Sequence, residues 1–279
     1  MKKYMIVFDL DSTILPSINV MAPGTAEAVR RAREAGHIVV ASSARPWEMC
    51  RWVYEALGLD TAISTINGSY IFNPTDPSFP EKEVLMDRET IGALLRACGG
   101  DCFPSYIELR GKLFHTEGPH NGYYLERMKV ASSTVVFDID SLPDTPGSRF
   151  IFTPKDAEAE ERVLATAASL GNVVANMWAM PYDNDPNKFF HRISIGPVGA
   201  NKWESLKYIA KNYGISTEDC YAFGDNWNDY EMIRNAGHGF ALLGSDAARQ
   251  PDIKNVTRLT CARGGVAEVI EREILKLHD

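Results

Sequence analysis

The sequence is short of thiols, of long apolar runs and of positive charge, and each shortage excludes something. Five cysteines, Cys50, Cys98, Cys102, Cys220 and Cys261, are odd in number and lack paired zinc spacing. That argues against a disulfide framework or a structural zinc site and fits a reducing compartment. No run approaches the roughly 18 apolar residues of a membrane span. Lys2 and Lys3 before an apolar stretch imitate a secretory signal, but Asp9 and Asp11 break that stretch after a few residues. With 29 Lys and Arg against 37 Asp and Glu, the net charge of -8 has the wrong sign for a general nucleic-acid surface. A cytoplasmic protein with no nucleic-acid and no membrane partner is expected. Low-complexity segments are also missing, and 45% hydrophobic with 24% charged residues is an ordinary globular balance. The 279 residues suffice for one large domain or two medium ones, and two are expected. The oligomeric state is unknown from sequence.

What is present begins with Tyr4 to Leu15, YMIVFDLDSTIL. Met5 to Phe8 are apolar without alternation, which suits a strand buried on both faces of a parallel sheet. Asp9 stands at its C-terminal end, where open α/β sheets bind ligands, with Asp11 and Thr13 close behind. An extended segment would keep Asp9 and Asp11 on one side. Thr25 reads as the N-cap of a helix that ends at Gly36, and His37 to Ala41 as a second strand closing on Ser42 and Ser43. Pro46 opens a helix that ends at Gly58, and Ala62 to Ile66 form a third strand. Asn67-Gly68 has the chemistry of a hairpin turn. Pro74, Pro77 and Pro80 then mark a linker.

From residue 83 to 187 the pattern becomes α+β. A helix near Arg88 to Ala97 precedes strands at Cys102 to Leu109 and Lys112 to Thr116, joined by Arg110-Gly111. A strand at Arg149 to Thr153, a helix at Ala157 to Leu170, and strands near Val173 to Met180 and Phe189 to Ile195 follow. No catalytic motif stands here, and His115, His120 and His191 lack metal-ligand spacing. The α/β rhythm returns with a helix from Lys202, a strand at Cys220 to Phe223, a further passage at Phe240 to Leu243 and a closing helix at Val266 to Leu275.

Several strands therefore end in reactive groups: Asp9 and Asp11, then Ser43, then Asp225 with Asn228 and Asp229. A doubly wound sheet brings such ends into one crevice. Clustered carboxylates repel one another unless a cation joins them, and hard oxygen ligands suit Mg²⁺. A metal, a lysine and a hydroxyl around one carboxylate form a site for a transferring phosphoryl group, and the carboxylate can be the nucleophile.

FDLDST, SSAR, Lys202 and GDNWND, in that order, resemble the four motifs of the haloacid dehalogenase superfamily, and more closely its Cof-type sugar-phosphatase branch. The resemblance covers residues 1 to about 75 and about 188 to 279, and it implies a doubly wound (Rossmann-like) α/β core, residues 1-82 and 188-279, with an α+β cap inserted at 83-187. It implies further that Asp9 attacks phosphorus, Asp11 is acid and base, Ser43 holds a phosphate oxygen and Lys202 offsets charge. Asp9, Asp11 (through its backbone carbonyl), Asp225 and Asp229 become the Mg²⁺ set. Thr13, Ala44, Arg45, Asn67, Gly68 and Asn228 become the substrate-binding set. Ala44 departs from a usual glycine, Asn201 from a usual Ser or Asp, and Trp227 is bulky for its motif. The activity implied is hydrolysis of a small phosphorylated metabolite, by default a sugar phosphate, with the cap as a lid that selects the ester. Phosphoryl transfer to a second acceptor, a phosphomutase, and a non-enzymatic regulator that binds a phosphorylated ligand are the rival readings.

Overall fold

The computed structural model of the chain describes residues 2–109, 112–116, 133–137, 146–182 and 185–276. The chain divides into two compact units: Met1–Lys82 with Asn201–Asp279, and Glu83–Ala200. Among the described residues no helix is long and apolar enough to cross a membrane.

The first unit begins with strand β1 (Met5–Phe8), all four residues of which are buried, as a run without polar alternation requires. Helix α1 (Thr25–Glu34) turns Ala28, Val29 and Ala32 inward. Its N-cap is Gly24, at φ 74, so Thr25 is the first helical residue rather than the cap. Strand β2 (Ile38–Ala41) lies parallel to β1. Helix α2 (Trp47–Ala56) starts after Pro46 and stops at Leu57, where Gly58 takes φ 59. Strand β3 (Ile63–Thr65) is shorter than its apolar run, because it meets β2 only at the bridge between Ser42 and Ser64. It then folds back antiparallel into β4 (Tyr70–Phe72). Asn67-Gly68 is therefore the tip of a hairpin. A two-residue strand, β5 (Lys82–Glu83), stands where the chain passes from one unit to the next.

The second unit contains α3 (Arg88–Cys98), β6 (Cys102–Leu109), β7 (Lys112–Thr116), β8 (Ser133–Phe137), β9 (Arg149–Pro154), α4 (Ala157–Leu170), β10 (Val173–Tyr182) and β11 (Asp185–Pro197). Its sheet runs β10-β11-β9-β6-β7-β8. Asp87 and Asp156 cap the two helices by accepting from Thr90 N and Ala159 N. One face of the sheet packs Ile107, Phe150, Phe152, Ile193 and Ile195 against Leu94, Leu95 and Val163 of the helices. Alternation sends Tyr106, Glu108, Arg149 and Arg192 to the other face, where Arg149 Nε donates to Glu108 Oε2 at 2.6 Å. Strand β8 falls on residues without a place in the sequence reading. Arg110-Gly111 and His120 lie outside the described residues. The expected cap boundary at 187 falls inside β11, which pairs with β10 from Phe189 to Pro197, and the compact unit runs to Ala200.

The chain re-enters the first unit with α5 (Lys202–Asn212), β12 (Cys220–Gly224), α6 (Tyr230–Asn235), β13 (His238–Ala241) and α7 (Gly265–Val269), which runs into a π-helical stretch at Ile270–Ile274. The sheet order is β13-β12-β1-β2, all parallel. Ile6, Phe8, Val39 and Phe223 pack with Val29, Val53 and Val266 on one face. On the other, Met5, Val7, Val40 and Ala222 pack with Leu206, Ile209 and Met232. Helices on both faces of a parallel sheet make the doubly wound core that the sequence implies. The strand order reverses between β1 and β12, the crevice where such sheets bind ligands.

Candidate active site

Asp9 and Asp225 each follow directly on the last residue of neighbouring parallel strands, β1 and β12, in which Phe8 stands opposite Phe223. The Asp9 N–H donates to the Phe223 carbonyl at 3.0 Å, so the pairing carries one residue past the strand. Lys202 enters from the first turn of α5, fully buried, with its Nζ 2.6 Å from Asp9 Oδ1 and also on Asp229 Oδ1. Asn201 sets this turn by accepting from Glu204 N at 2.8 Å. Ser, Asp and Asn are interchangeable as N-caps, which accounts for the departure at this position.

Asp229 is tied on both oxygens. Its Oδ2 accepts from the N–H groups of Asp225 and Asn226, each at 3.1 Å, while Oδ1 takes Lys202. Gly224 permits this, because a Cβ there would overlap the Asp229 side chain. Thr13 Oγ1 donates to Asp225 Oδ1 at 3.1 Å. Asp9, Asp225 and Asp229 thus bring one carboxylate oxygen each to within 4.8 Å of one another.

Two buried acids, Asp9 and Asp229, share one ammonium, and a third, the half-buried Asp225, lies alongside. Burial, only partly opposed by Lys202, and the charges of Asp229 and Asp225 raise the Asp9 carboxyl well above the usual carboxylate range. Burial and then Asp229 push Asp225 up to about 7. Burial works against the Lys202 charge, but Asp229 and Asp9 outweigh it and raise the ammonium above its ordinary value. A cluster of hard oxygen donors with two more negative than positive groups fits a divalent cation, and Mg²⁺ among them.

Asp11 does not join this cluster. The chain leaves the extended form after Asp9: Ser12 takes φ 55, and the Leu10 carbonyl accepts from both Ile14 N and Leu15 N. The Asp11 carboxylate, 51% exposed, turns instead to Arg45, whose Nε donates to Oδ2 at 2.7 Å and Nη2 to Oδ1. The three acids expected to offer a carboxylate to the metal shell, Asp9, Asp225 and Asp229, converge, and Asp11 was expected there only through its backbone carbonyl.

Ser43 is buried, its Oγ accepts from Arg45 N at 3.1 Å, and its side chain also hydrogen-bonds with the Cys50 thiol. Ala44 has an ordinary negative φ, so the missing glycine costs no backbone freedom here. Asn67, at φ 53, accepts on Oδ1 from Asn228 Nδ2 at 3.0 Å and ties the hairpin tip to the fourth motif. Gly68, at φ 93, lies so close to Ser205 and the Asn201 carbonyl that a Cβ would overlap both. Its glycine is needed for close approach to α5, whereas the sequence put it among the substrate ligands. Trp227 is 49% exposed and does not fill the carboxylate cluster. Cys261 had no signal in the sequence. Burial, followed by the charges of Asp225, Asp9 and Asp11, pushes its thiol up to about 12.

The family model for haloacid dehalogenase-like hydrolases matches residues 6–270. The chain is 28% identical to 5-amino-6-(5-phospho-D-ribitylamino)uracil phosphatase YitU of Bacillus subtilis, over 97% of each chain. It is 24% identical to pyridoxal phosphate phosphatase YbhA of Escherichia coli, over 88% of this chain and 89% of that one. In fold it is similar to a haloacid dehalogenase-like hydrolase from Bacteroides thetaiotaomicron, with a TM-score of 0.76 at 23% identity over 97% of this chain and 99% of that one. The chain belongs to the haloacid dehalogenase-like hydrolases, in their Cof-type branch, and is an enzyme of the phosphoric monoester hydrolase class.

Proposed function

We propose that the protein hydrolyses a small phosphorylated metabolite, by default a sugar phosphate, through a phosphoaspartate on Asp9 and with Mg²⁺. The observation that carries this reading is the Lys202 ammonium held between Asp9 and Asp229 with Asp225 alongside. Asp9 and Asp225 have oxygens to offer a metal, whereas Asp229, with both oxygens engaged, braces the site and Lys202. Bound there, Mg²⁺ supplies positive charge against the phosphoryl oxygens.

The Asp9 carboxylate attacks phosphorus, and the bond from phosphorus to the leaving oxygen breaks as Asp11 supplies that oxygen with a proton. Asp11 then takes a proton from water, the water oxygen attacks the same phosphorus, and inorganic phosphate leaves with Asp9 restored. Lys202 balances charge on Asp9 throughout, and the Ser43 hydroxyl donates to a phosphoryl oxygen. The names of two relatives, phosphatases of a phosphoribitylamino-uracil and of pyridoxal phosphate, support an ester of metabolite size. We assign the choice of ester to the inserted unit and the place of action to the cytoplasm.

The test is a panel of phosphate esters assayed for phosphate release with Mg²⁺ and with chelator, on wild type and Asp9→Asn. Release should need Mg²⁺, and Asp9→Asn should lose several orders of magnitude of kcat, because an amide is no nucleophile toward phosphorus. A folded Asp9→Asn enzyme within about tenfold of wild type would end the phosphoaspartate reading. Transfer to an added sugar rather than to water would favour the phosphotransferase or phosphomutase alternative.

A further inference from the structure

Arg45 occupies a motif position that the sequence assigned to substrate binding, yet its surroundings give it another task. The side chain is only 7% exposed and every guanidinium nitrogen is engaged inside the chain. Nε and Nη2 grip the two Asp11 oxygens, Nη2 also reaches the Ile18 carbonyl at 3.3 Å, and Nη1 reaches the Met49 carbonyl at 3.4 Å. The backbone is tied as firmly. Arg45 N–H donates to Ser43 Oγ at 3.1 Å, and its carbonyl accepts from Ile66 N at 3.0 Å.

A planar fork on a carboxylate fixes both the position and the plane of the acid, which a point charge does not. Asp11 needs such a hold, because the turn after Asp9 leaves it half in water with no other side-chain partner among the described contacts. We propose that Arg45 is a positioning residue for Asp11: it fixes the acid–base carboxylate and, through the Ile18 carbonyl, the loop that follows, and it makes no contact with the phosphoryl group. The proposal rests on the reading of Asp11 as acid and base given above.

A phosphate ligand and a positioning residue differ in what their loss does. Without a ligand, inorganic phosphate binds less well and all esters suffer alike. Without a positioner, the loss follows how much the leaving oxygen needs a proton.

The experiment compares full-length wild type, Arg45→Lys, Arg45→Met, Asp11→Asn and the double variant Asp11→Asn/Arg45→Met, all with Mg²⁺. Each is measured for kcat and KM on an alkyl phosphate and on an activated aryl phosphate, and for inhibition by inorganic phosphate. Arg45→Met should lose about 100-fold in kcat on the alkyl ester and less than about tenfold on the aryl ester. Its inhibition constant for phosphate should stay within about threefold of wild type, and Arg45→Lys should lie between. In the Asp11→Asn background, Arg45→Met should cost nothing further, since the group it positions is gone. Weaker phosphate inhibition by about tenfold or more with equal losses on both esters, or a full additive loss in the double variant, would overturn the proposal.

Should Arg45→Met fail to fold, Arg45→Lys carries the same comparisons. Should wild type cleave no ester at all, the phosphatase reading falls, and amide hydrogen exchange over residues 11–20 decides the rest. Faster exchange there in Arg45→Lys or Arg45→Met sustains the hold on the loop, and unchanged exchange refutes it.

Discussion

Lys202 brings a full charge into a buried position, and two carboxylates make that tolerable. Removing one member of a buried ionic group strands the others, at about 3–5 kcal/mol. Lys202→Met should therefore unfold at much lower denaturant than wild type, and a midpoint close to wild type would show that Asp9 and Asp229 find other relief. Asp225 gives a second prediction, with a definite sign. In the metal-free fold it holds its proton up to about 7, whereas in the unfolded chain an aspartate releases it near 3.9. Between those values the unfolded state binds fewer protons, so the stability of the metal-free protein falls as pH rises. On the proposed reading Mg²⁺ takes the place of that proton, so the rise in Tm on adding Mg²⁺ should be small at pH 5 and large at pH 8. An equal rise at both would count against Asp225 as a ligand. The convergence of Asp9, Lys202 and Asp225 was legible because each sits at the end of an apolar run or opens a periodic one. The Arg45 grip on Asp11 was not, since no local pattern reports which partner a long side chain selects from 34 positions away.

At the scale of elements, the hairpin of β3 and β4 presses its tip against the start of α5, and Gly68 is where the two backbones meet. Gly68→Ala must adopt a left-handed φ of 93 and displace Ser205 or Asn201. A loss of about 1–3 kcal/mol in denaturant unfolding is expected from the strain alone. A loss under about 0.5 kcal/mol would mean that the contact yields without cost. Long elements with clear periodicity, such as α4 and β6, were readable nearly to the residue. Strand β8 was not, because a five-residue strand added parallel to β7 is specified by its neighbour in the sheet rather than by its own alternation. The cap of α1 was misplaced by one residue because Gly24 reaches a left-handed turn that lets Thr25 start the helix.

At the scale of the molecule, each unit owns a hydrophobic core, one set around β1 and β12 and another beneath the sheet of the inserted unit. Replacing residues 83–200 by a short Gly/Ser linker should leave a folded unit that needs Mg²⁺ and slowly cleaves an activated aryl phosphate, with its preference among natural esters lost. If kcat/KM values across an ester panel ranked as in the full chain, the inserted unit would have no part in selection. A cut at 187, as the sequence alone advised, would leave most of β11 behind as an unpaired apolar strand. Composition marked the entrance of the insertion by Pro74, Pro77 and Pro80, and the exit by Gly196-Pro197 and Gly199, which lie beyond the expected boundary at 187. The sheet order also sets a timetable for synthesis. Strand β1 has β2 close behind it in the chain, but its other neighbour, β12, emerges only after the whole inserted unit. Until then a nascent half-sheet waits with one edge of β1 open and the Asp9 carboxylate without its lysine. An open strand edge is a template for wrong pairing, so the length of the inserted unit sets how long β1 must wait for its partner.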